Sequence, residues 1–188
     1  LVLTGGQSRR MGHDKAHIKY HNKPHYQHTA DIISPQVEET FISVAHDHNS
    51  KEKFQYKLIK DQHSNMGPIG GILSAFKYNP DVAWLTVACD LPFITTDVIA
   101  HLINQRQPSK IATCYLNPKR QSPEPLLTIW EPTAYPIIQD YLSKGIDSPM
   151  RILLDQDINL INIKNPKALM NANDPVQKRN ALDDLDGD

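Results

Sequence analysis

The sequence predicts an α/β domain, with a mostly parallel sheet and helices on both faces. Three observations carry that expectation. Short β-branched, apolar runs alternate with stretches whose apolar residues recur at helical spacing. The run Trp84-Leu85-Thr86-Val87-Ala88 is apolar almost throughout, as strands covered on both sides by crossover helices are. Polar loops bearing glycine or acid follow Leu3, Ile59 and Ala88, where ligands sit in such folds, beyond the carboxyl ends of the strands.

In chain order, Leu1-Val2-Leu3 reads as a strand whose first residues have been trimmed away, because the chain starts inside an apolar run without methionine. A helix is expected over residues 24–33. Thr40-Phe41-Ile42-Ser43-Val44 is β-branched and aromatic, a short strand, and Lys57–Lys60 is strand-like. After Gly67-Pro68, the apolar positions Ile69, Ile72, Leu73 and Phe76 keep helical spacing. Trp84–Ala88 is the buried strand. Thr96–Asn104 is a helix for which Thr96 and Asp97 are natural starters. A basic, proline-rich loop over residues 117–125 then precedes an apolar strand at 126–130, with a further helix over 133–142. The expected domain is residues 1–178, followed by an acidic, disordered tail at 179–188.

The 188 residues carry 20 Lys plus Arg against 21 Asp plus Glu. A chain of this length suits one domain that buries roughly 70% of its unfolded surface without staples. The balanced charge argues against nonspecific nucleic-acid binding, which draws on concentrated basic surface. No apolar run approaches the roughly 20 residues of a membrane span. Cys89 and Cys114 form no C-x-x-C pair, and read as thiols of a reducing, cytoplasmic compartment. The nine histidines include His13, His17, His21, His25 and His28 at near-helical spacings. However, Asn22-Lys23-Pro24 interrupts any single helix and no H-E-x-x-H occurs, so a zinc site is rejected and most histidines are expected at the surface.

The most informative stretch is Leu3-Thr4-Gly5-Gly6-Gln7-Ser8-Arg9-Arg10-Met11-Gly12-His13-Asp14-Lys15. Paired glycines let the backbone turn sharply and let a ligand approach its N–H groups. Arg10 and Lys15 add the positive charge a polyphosphate demands, one as a fork of donors and one as a point charge. The order matches neither the dinucleotide fingerprint G-x-G-x-x-G nor G-x-x-x-x-G-K-[ST], because Ala16 follows Lys15.

This segment resembles the nucleotidyltransferase signature L-x-G-G-x-S-x-R-M-G-x-D-K in the form used by molybdenum cofactor guanylyltransferases, with Thr4 in place of the commoner alanine. The resemblance implies a three-layer α/β/α Rossmann-like nucleotidyltransferase fold with a mostly parallel central sheet. It also implies that Leu3, Thr4, Gly5, Gly6 and Lys15 wrap the nucleotide while Arg10 and Lys15 neutralise triphosphate charge. The glycine at position 5 favours guanine, since cytidine-transferring relatives usually carry alanine there.

Asp90 follows a buried strand in Cys89-Asp90-Leu91-Pro92. A carboxylate so placed suits Mg²⁺, which takes one or two carboxylates plus phosphate oxygens and water. The alternative is a turn or capping aspartate. The phrase is similar to the family's C-D-x-P motif, which implies that Asp90 is the metal ligand and, with Arg10 and Lys15, catalytic. Asp61 precedes a polar loop and Gly67-Pro68-Ile69-Gly70-Gly71, similar to the family's aspartate and G-P-[LI]-x-G, where the aspartate contacts the nucleoside. Gly70 and Gly71 could equally serve close packing of helix on sheet. Ser43 takes the place of a family residue near the base, although the family's N-x-N is absent from Ser43-Val44-Ala45.

On the acceptor side the resemblance points to Lys119, Arg120 and Ser122. A solvated loop is an equal reading of those residues. The element Asn171-Ala172-Asn173-Asp174-Pro175 is similar to N-x-N-[TD]-P and implicates Asn173, unless it is simply a turn before a last helix. The implied reaction transfers GMP from GTP to the phosphate of molybdopterin, with Mg²⁺ as cofactor. Implied partners are molybdenum-insertion proteins and molybdoenzyme chaperones, with no nucleic acid and no membrane. The rivals are a cytidylyltransferase on the same acceptor, a sugar-phosphate nucleotidyltransferase, and a nucleotide-binding module without chemistry.

Overall fold

A computed structural model of the chain describes residues 1–4, 23–49, 54–62, 64 and 66–172. The expected tail and its boundary at residue 178 lie outside these residues. The described elements are β1 (Val2–Leu3), α1 (His25–Ile33), β2 (Phe41–Val44), β3 (Lys57–Lys60), α2 (Pro68–Tyr78), β4 (Trp84–Ala88) and α3 (Thr96–Asn104). They continue with β5 (Ala112–Asn117), β6 (Ser122–Trp130), α4 (Ala134–Ser143), α5 (Pro149–Asp155) and β7 (Asn159–Asn162). One seven-stranded sheet runs in the order β3-β2-β1-β4-β6-β5-β7. Only β6 runs against its neighbours; β3, β2, β1 and β4 are mutually parallel and β7 is parallel to β5.

Strand side chains alternate between two cores, which makes three layers. Val2, Ile42, Val87, Leu127 and Ile129 meet Ile33 of α1 and Ile99 and Leu102 of α3 on one face. Leu3, Phe41, Trp84 and Trp130 meet Ile69 and Phe76 of α2, Ile138 of α4 and Ile152 of α5 on the other. The expected architecture is therefore the observed one.

The differences in detail have physical causes. The cap of α3 is Thr95, whose hydroxyl accepts from Val98 N at 3.4 Å, while Thr96 and Asp97 lie in its first turn. Strand β6 starts at Ser122 and not at 126, because Pro123 and Pro125 sit where the β5–β6 register shifts, between Cys114 and Leu116. Prolines lacking a ladder N–H are tolerated at such an irregularity. Residues 117–125 are thus a hairpin with a tight turn at 118–121, rather than a loop. His25 and Tyr26 are buried on the inner face of α1, where His25 is the one buried histidine among the described residues, and Tyr26 packs 5.1 Å from the Phe54 ring.

Candidate active site

Parallel pairing aligns the carboxyl ends of four adjacent strands. Leu3 of β1 stands opposite Ser43 of β2 and Ala88 of β4, and Ser43 stands opposite Ile59 of β3. The ladder continues just past the strands: Thr4 N donates to Ser43 O at 3.3 Å, Asp61 N to Val44 O at 2.9 Å, and Cys89 N to Leu3 O at 3.1 Å. Thr4, Ser43, Asp61 and Asp90 are thereby held along one edge of the sheet, the edge into which the glycine-rich segment leads. The threonine that replaces the commoner alanine uses its hydroxyl to donate to the Ser43 carbonyl.

Of the two aspartates on this edge, Asp61 is the more enclosed. Ser43 Oγ donates to its Oδ1 at 2.8 Å and His46 Nδ1 donates to its carbonyl at 3.0 Å. Burial pushes its carboxyl above the ordinary range; the Ser43 hydroxyl and the nearby His46 pull the other way without cancelling it. An acid raised in this way destabilises the folded state when ionised. The cost is fully present above its folded pKa and vanishes as pH falls below the unfolded value. Asp61→Asn, which still accepts from Ser43, is therefore expected to raise the melting temperature at pH 7.5. The gain should shrink on acidification to about pH 4, near the free carboxylate value, and thermal scans at both pH values check it.

Helix α2 approaches this acid closely. Its cap, Gly67, has φ +60, a left-handed conformation that side chains disfavour. A Cβ added at Gly71 would lie 2.6 Å from Ser43 Oγ and 2.8 Å from Leu3 Cδ2, so only glycine lets the first turn of α2 sit against β1 and β2. Ser74 Oγ accepts from Gln62 N at 3.0 Å and donates to Gly70 O at 2.7 Å, tying the loop after Asp61 to the helix. The packing reading of the glycines holds, and it brings the amino end of α2 beside Asp61.

Asp90, half-buried after β4, is gripped from the far end of the chain. Asn171 Nδ2 donates to its Oδ2 at 3.2 Å, and Ala172 N donates to its carbonyl at 2.9 Å. The short turn Pro166–Leu169 anchors that segment through buried Ala168 and Leu169, and Lys167 Nζ lies 4.6 Å over the Phe93 ring. Among the described residues no group of three or more His, Cys, Asp or Glu could hold a metal alone. One carboxylate at a strand end fits Mg²⁺ shared with substrate phosphates, and does not fit a zinc cage.

The β5–β6 hairpin reaches the same edge, because β6 is antiparallel to β4 and Val87 stands opposite Leu127. In its turn, Asn117 Oδ1 accepts from Lys119 N at 3.1 Å and Arg120 N at 3.2 Å, while Asn117 Nδ2 donates to buried Glu124 at 3.1 Å. The Arg120 guanidinium also pairs with Glu124. Ser122 lies opposite Asn117 in the ladder, and Lys119 is exposed at the tip. Cys114, behind this hairpin, has its thiol pushed up to about 12 by burial and is not a nucleophile.

Of the residues singled out in the sequence, Leu3, Thr4, Ser43, Asp61 and Asp90 share the edge, and Lys119, Arg120 and Ser122 share the hairpin beside it. Gly5, Gly6, Arg10, Lys15 and Asn173 lie outside the described residues. His46, Ser74 and Asn171 were not singled out. Asn171 stands two residues before Asn173 in the element already noted, whereas His46 and Ser74 leave no signal in sequence.

A model of the MobA-like NTP transferase domain matches residues 1–158. The chain is 36% identical over 176 residues to the molybdenum cofactor biosynthesis bifunctional protein of Synechocystis sp., covering 93% of this chain and 51% of that protein. It thus spans about half the length of that relative. It is 29% identical over 187 residues to the molybdenum cofactor guanylyltransferase of Shewanella putrefaciens, covering 97% and 95%. Among solved structures, molybdopterin-guanine dinucleotide biosynthesis protein A from Archaeoglobus fulgidus superposes with a TM-score of 0.82 at 23% identity, covering 100% of this chain and 98% of that one. The 2-C-methyl-D-erythritol 4-phosphate cytidylyltransferase of Thermus thermophilus gives a TM-score of 0.69 at 9% identity, over 97% and 96% of the two chains. Both structural likenesses concern the fold.

Proposed function

The chain belongs to the MobA-like NTP transferase family, and we propose that it transfers GMP from GTP to the phosphate of molybdopterin, forming molybdopterin guanine dinucleotide and releasing pyrophosphate. The observation that carries this reading is the convergence of Thr4, Ser43, Asp61 and Asp90 on one sheet edge, directly after the strand that feeds the glycine-rich segment.

In this reading Leu3, Thr4, Gly5 and Gly6 offer backbone groups to the nucleoside, and Asp61 accepts hydrogen bonds from it. Arg10 and Lys15 hold the β- and γ-phosphates. An acceptor phosphate oxygen attacks the α-phosphorus in line, the new P–O bond forms, and the bond to the β-phosphate oxygen breaks as pyrophosphate departs. Positioning and charge compensation supply most of the catalysis in such a transfer, since little covalent help is needed. Asp90 would hold Mg²⁺, which when bound neutralises charge developing on the phosphate oxygens. Lys119, Arg120, Ser122 and Asn173 are the acceptor-side candidates; Lys119 is the exposed cation of the hairpin tip, while Arg120 already neutralises Glu124. A cytoplasmic setting agrees with buried Cys89 and Cys114, which form no disulfide. No described helix is long and apolar enough to cross a membrane.

Binding of GTP, ATP, CTP and UTP compared in the presence of Mg²⁺, followed by pyrophosphate release with molybdopterin, tests the proposal. GTP should bind tightest and alone support release. Equal or better turnover with CTP would replace the guanylyl reading by the cytidylyl one, and binding without release would leave a nucleotide sensor.

A further inference from the structure

We infer that Ser43 is a positioning residue that acts on the nucleotide through Asp61, its hydroxyl fixing that carboxylate as an acceptor for paired donors of the nucleoside. The inference rests on the reading that Asp61 meets the nucleoside.

Ser43 is 1% exposed, and its polar groups are committed to the protein. Its carbonyl accepts from Thr4, and the single proton of its hydroxyl is used on Asp61 Oδ1 at 2.8 Å. The hydroxyl also faces α2 so closely that a Cβ at Gly71 would lie 2.6 Å away. Donation to a base, one form of the contact the family resemblance implies for this position, would require breaking that bond, and at 1% exposure the hydroxyl oxygen offers little surface for accepting from one. What Ser43 controls instead is the orientation of Asp61. The acid is fixed at three points: Oδ1 by Ser43, its N–H by Val44 O at 2.9 Å, and its carbonyl by His46 Nδ1 at 3.0 Å.

A carboxylate held in one plane accepts two parallel donors better than a rotating one does. Guanine offers such a pair in N1–H and the 2-amino group, and ribose offers another in its two hydroxyls. Among the described residues, His46 is the titratable group that faces Asp61 from the loop after β2, while α2 presents Gly70, Gly71 and Ser74. Ser43 and His46 are thus the two influences that favour the ionised acid against burial.

The experiment is equilibrium binding of GTP, ITP (no 2-amino group) and dGTP (no 2′-hydroxyl), with Mg²⁺, to the full chain between about pH 5 and 8, a range bracketing histidine and raised carboxylates. Wild type, Ser43→Ala, Ser43→Cys, Asp61→Asn and the Ser43→Ala/Asp61→Asn double variant are compared, each with a thermal scan. Ser43→Ala should weaken GTP about tenfold at neutral pH, the worth of one hydrogen bond to a charged group. Its loss of affinity on acidification should begin at higher pH than in wild type. Ser43→Cys, a weaker donor of similar size, should fall between, and it carries the test if the alanine variant does not fold. In the Asp61→Asn background, where Ser43 still donates but to an uncharged acceptor, Ser43→Ala should cost clearly less than in wild type. The penalty should shrink for ITP if the base is held, and for dGTP if the sugar is.

Unchanged affinity and pH profile in Ser43→Ala, or an undiminished penalty in the Asp61→Asn background, would overturn the role of Ser43 while leaving the guanylyl reading standing. Wild-type protein that does not bind GTP would overturn that reading, and this inference with it.

Discussion

Asp90→Ala is expected to lower turnover by about a thousandfold, since a carboxylate-held divalent ion is worth several kcal/mol to a phosphoryl-transfer transition state. The melting temperature should hardly move. Asp90 is half-buried, and its backbone bond to Ala172 N does not depend on the side chain; among the bonds described here the variant loses the 3.2 Å one from Asn171. Loss of turnover with retained folding separates a chemical role from a structural one, and two further readouts sharpen it. The Mg²⁺ concentration for half-maximal turnover should rise in Asp90→Asn, which keeps size but loses charge. GTP affinity without Mg²⁺ should be the same in both variants as in wild type. Full turnover by folded Asp90→Ala would end the assignment.

Gly71→Ala should damage folding and nucleotide binding together. The added methyl would stand 2.6 Å from Ser43 Oγ and 2.8 Å from Leu3 Cδ2. Leu3 is buried in β1 between β2 and β4, so it has no easy escape. Crowding of this kind costs about 1–3 kcal/mol, the displaced Ser43–Asp61 bond roughly 2 more, and the better helix propensity of alanine returns about 1. The net loss of about 2–4 kcal/mol should lower the melting temperature by roughly 5–15 °C at the 2–4 °C per kcal/mol typical of this size. GTP affinity should fall as well, because Asp61 loses its clamp. Gly67→Ala is the informative contrast: open space surrounds that Cβ, so its penalty comes from φ +60 and not from a clash. A Gly71→Ala protein as stable as wild type would show that α2 does not press on β1 and β2 as described.

Much of this edge was legible in the sequence because its chemistry is local. Leu3 and Asp90 close short apolar runs and Asp61 follows the strand-like Lys57–Lys60, and parallel strands bring such ends together whatever the intervening helices do. The helix at Gly67-Pro68 announced itself through proline at its first turn. Elements fixed by partners rather than by their own pattern were not legible. Strand β5, Ala112-Thr113-Cys114-Tyr115-Leu116-Asn117, alternates apolar with more polar residues, but neighbours bury both of its faces, so the alternation does not mark a solvent side. Strand β7 has four residues at the sheet edge, and α5 only seven, although Ser148 before Pro149 is a usable start signal. The start of β6 was hidden by two prolines that normally mark a loop. Contacts such as Ser43 with Asp61 and Asn171 with Asp90 join residues 18 and 81 positions apart, and no single-sequence pattern encodes them.

The grip of Asn171 and Ala172 on Asp90 bears on when this carboxylate is fixed during synthesis of the chain. A nascent chain exposes β1 first and Asp90 midway, yet the carboxylate gains its amide clasp only after residue 172 has left the ribosomal tunnel. Unfinished polypeptides therefore carry the aligned strand ends before Asp90 is settled among them, and the edge is complete only once translation has passed β7.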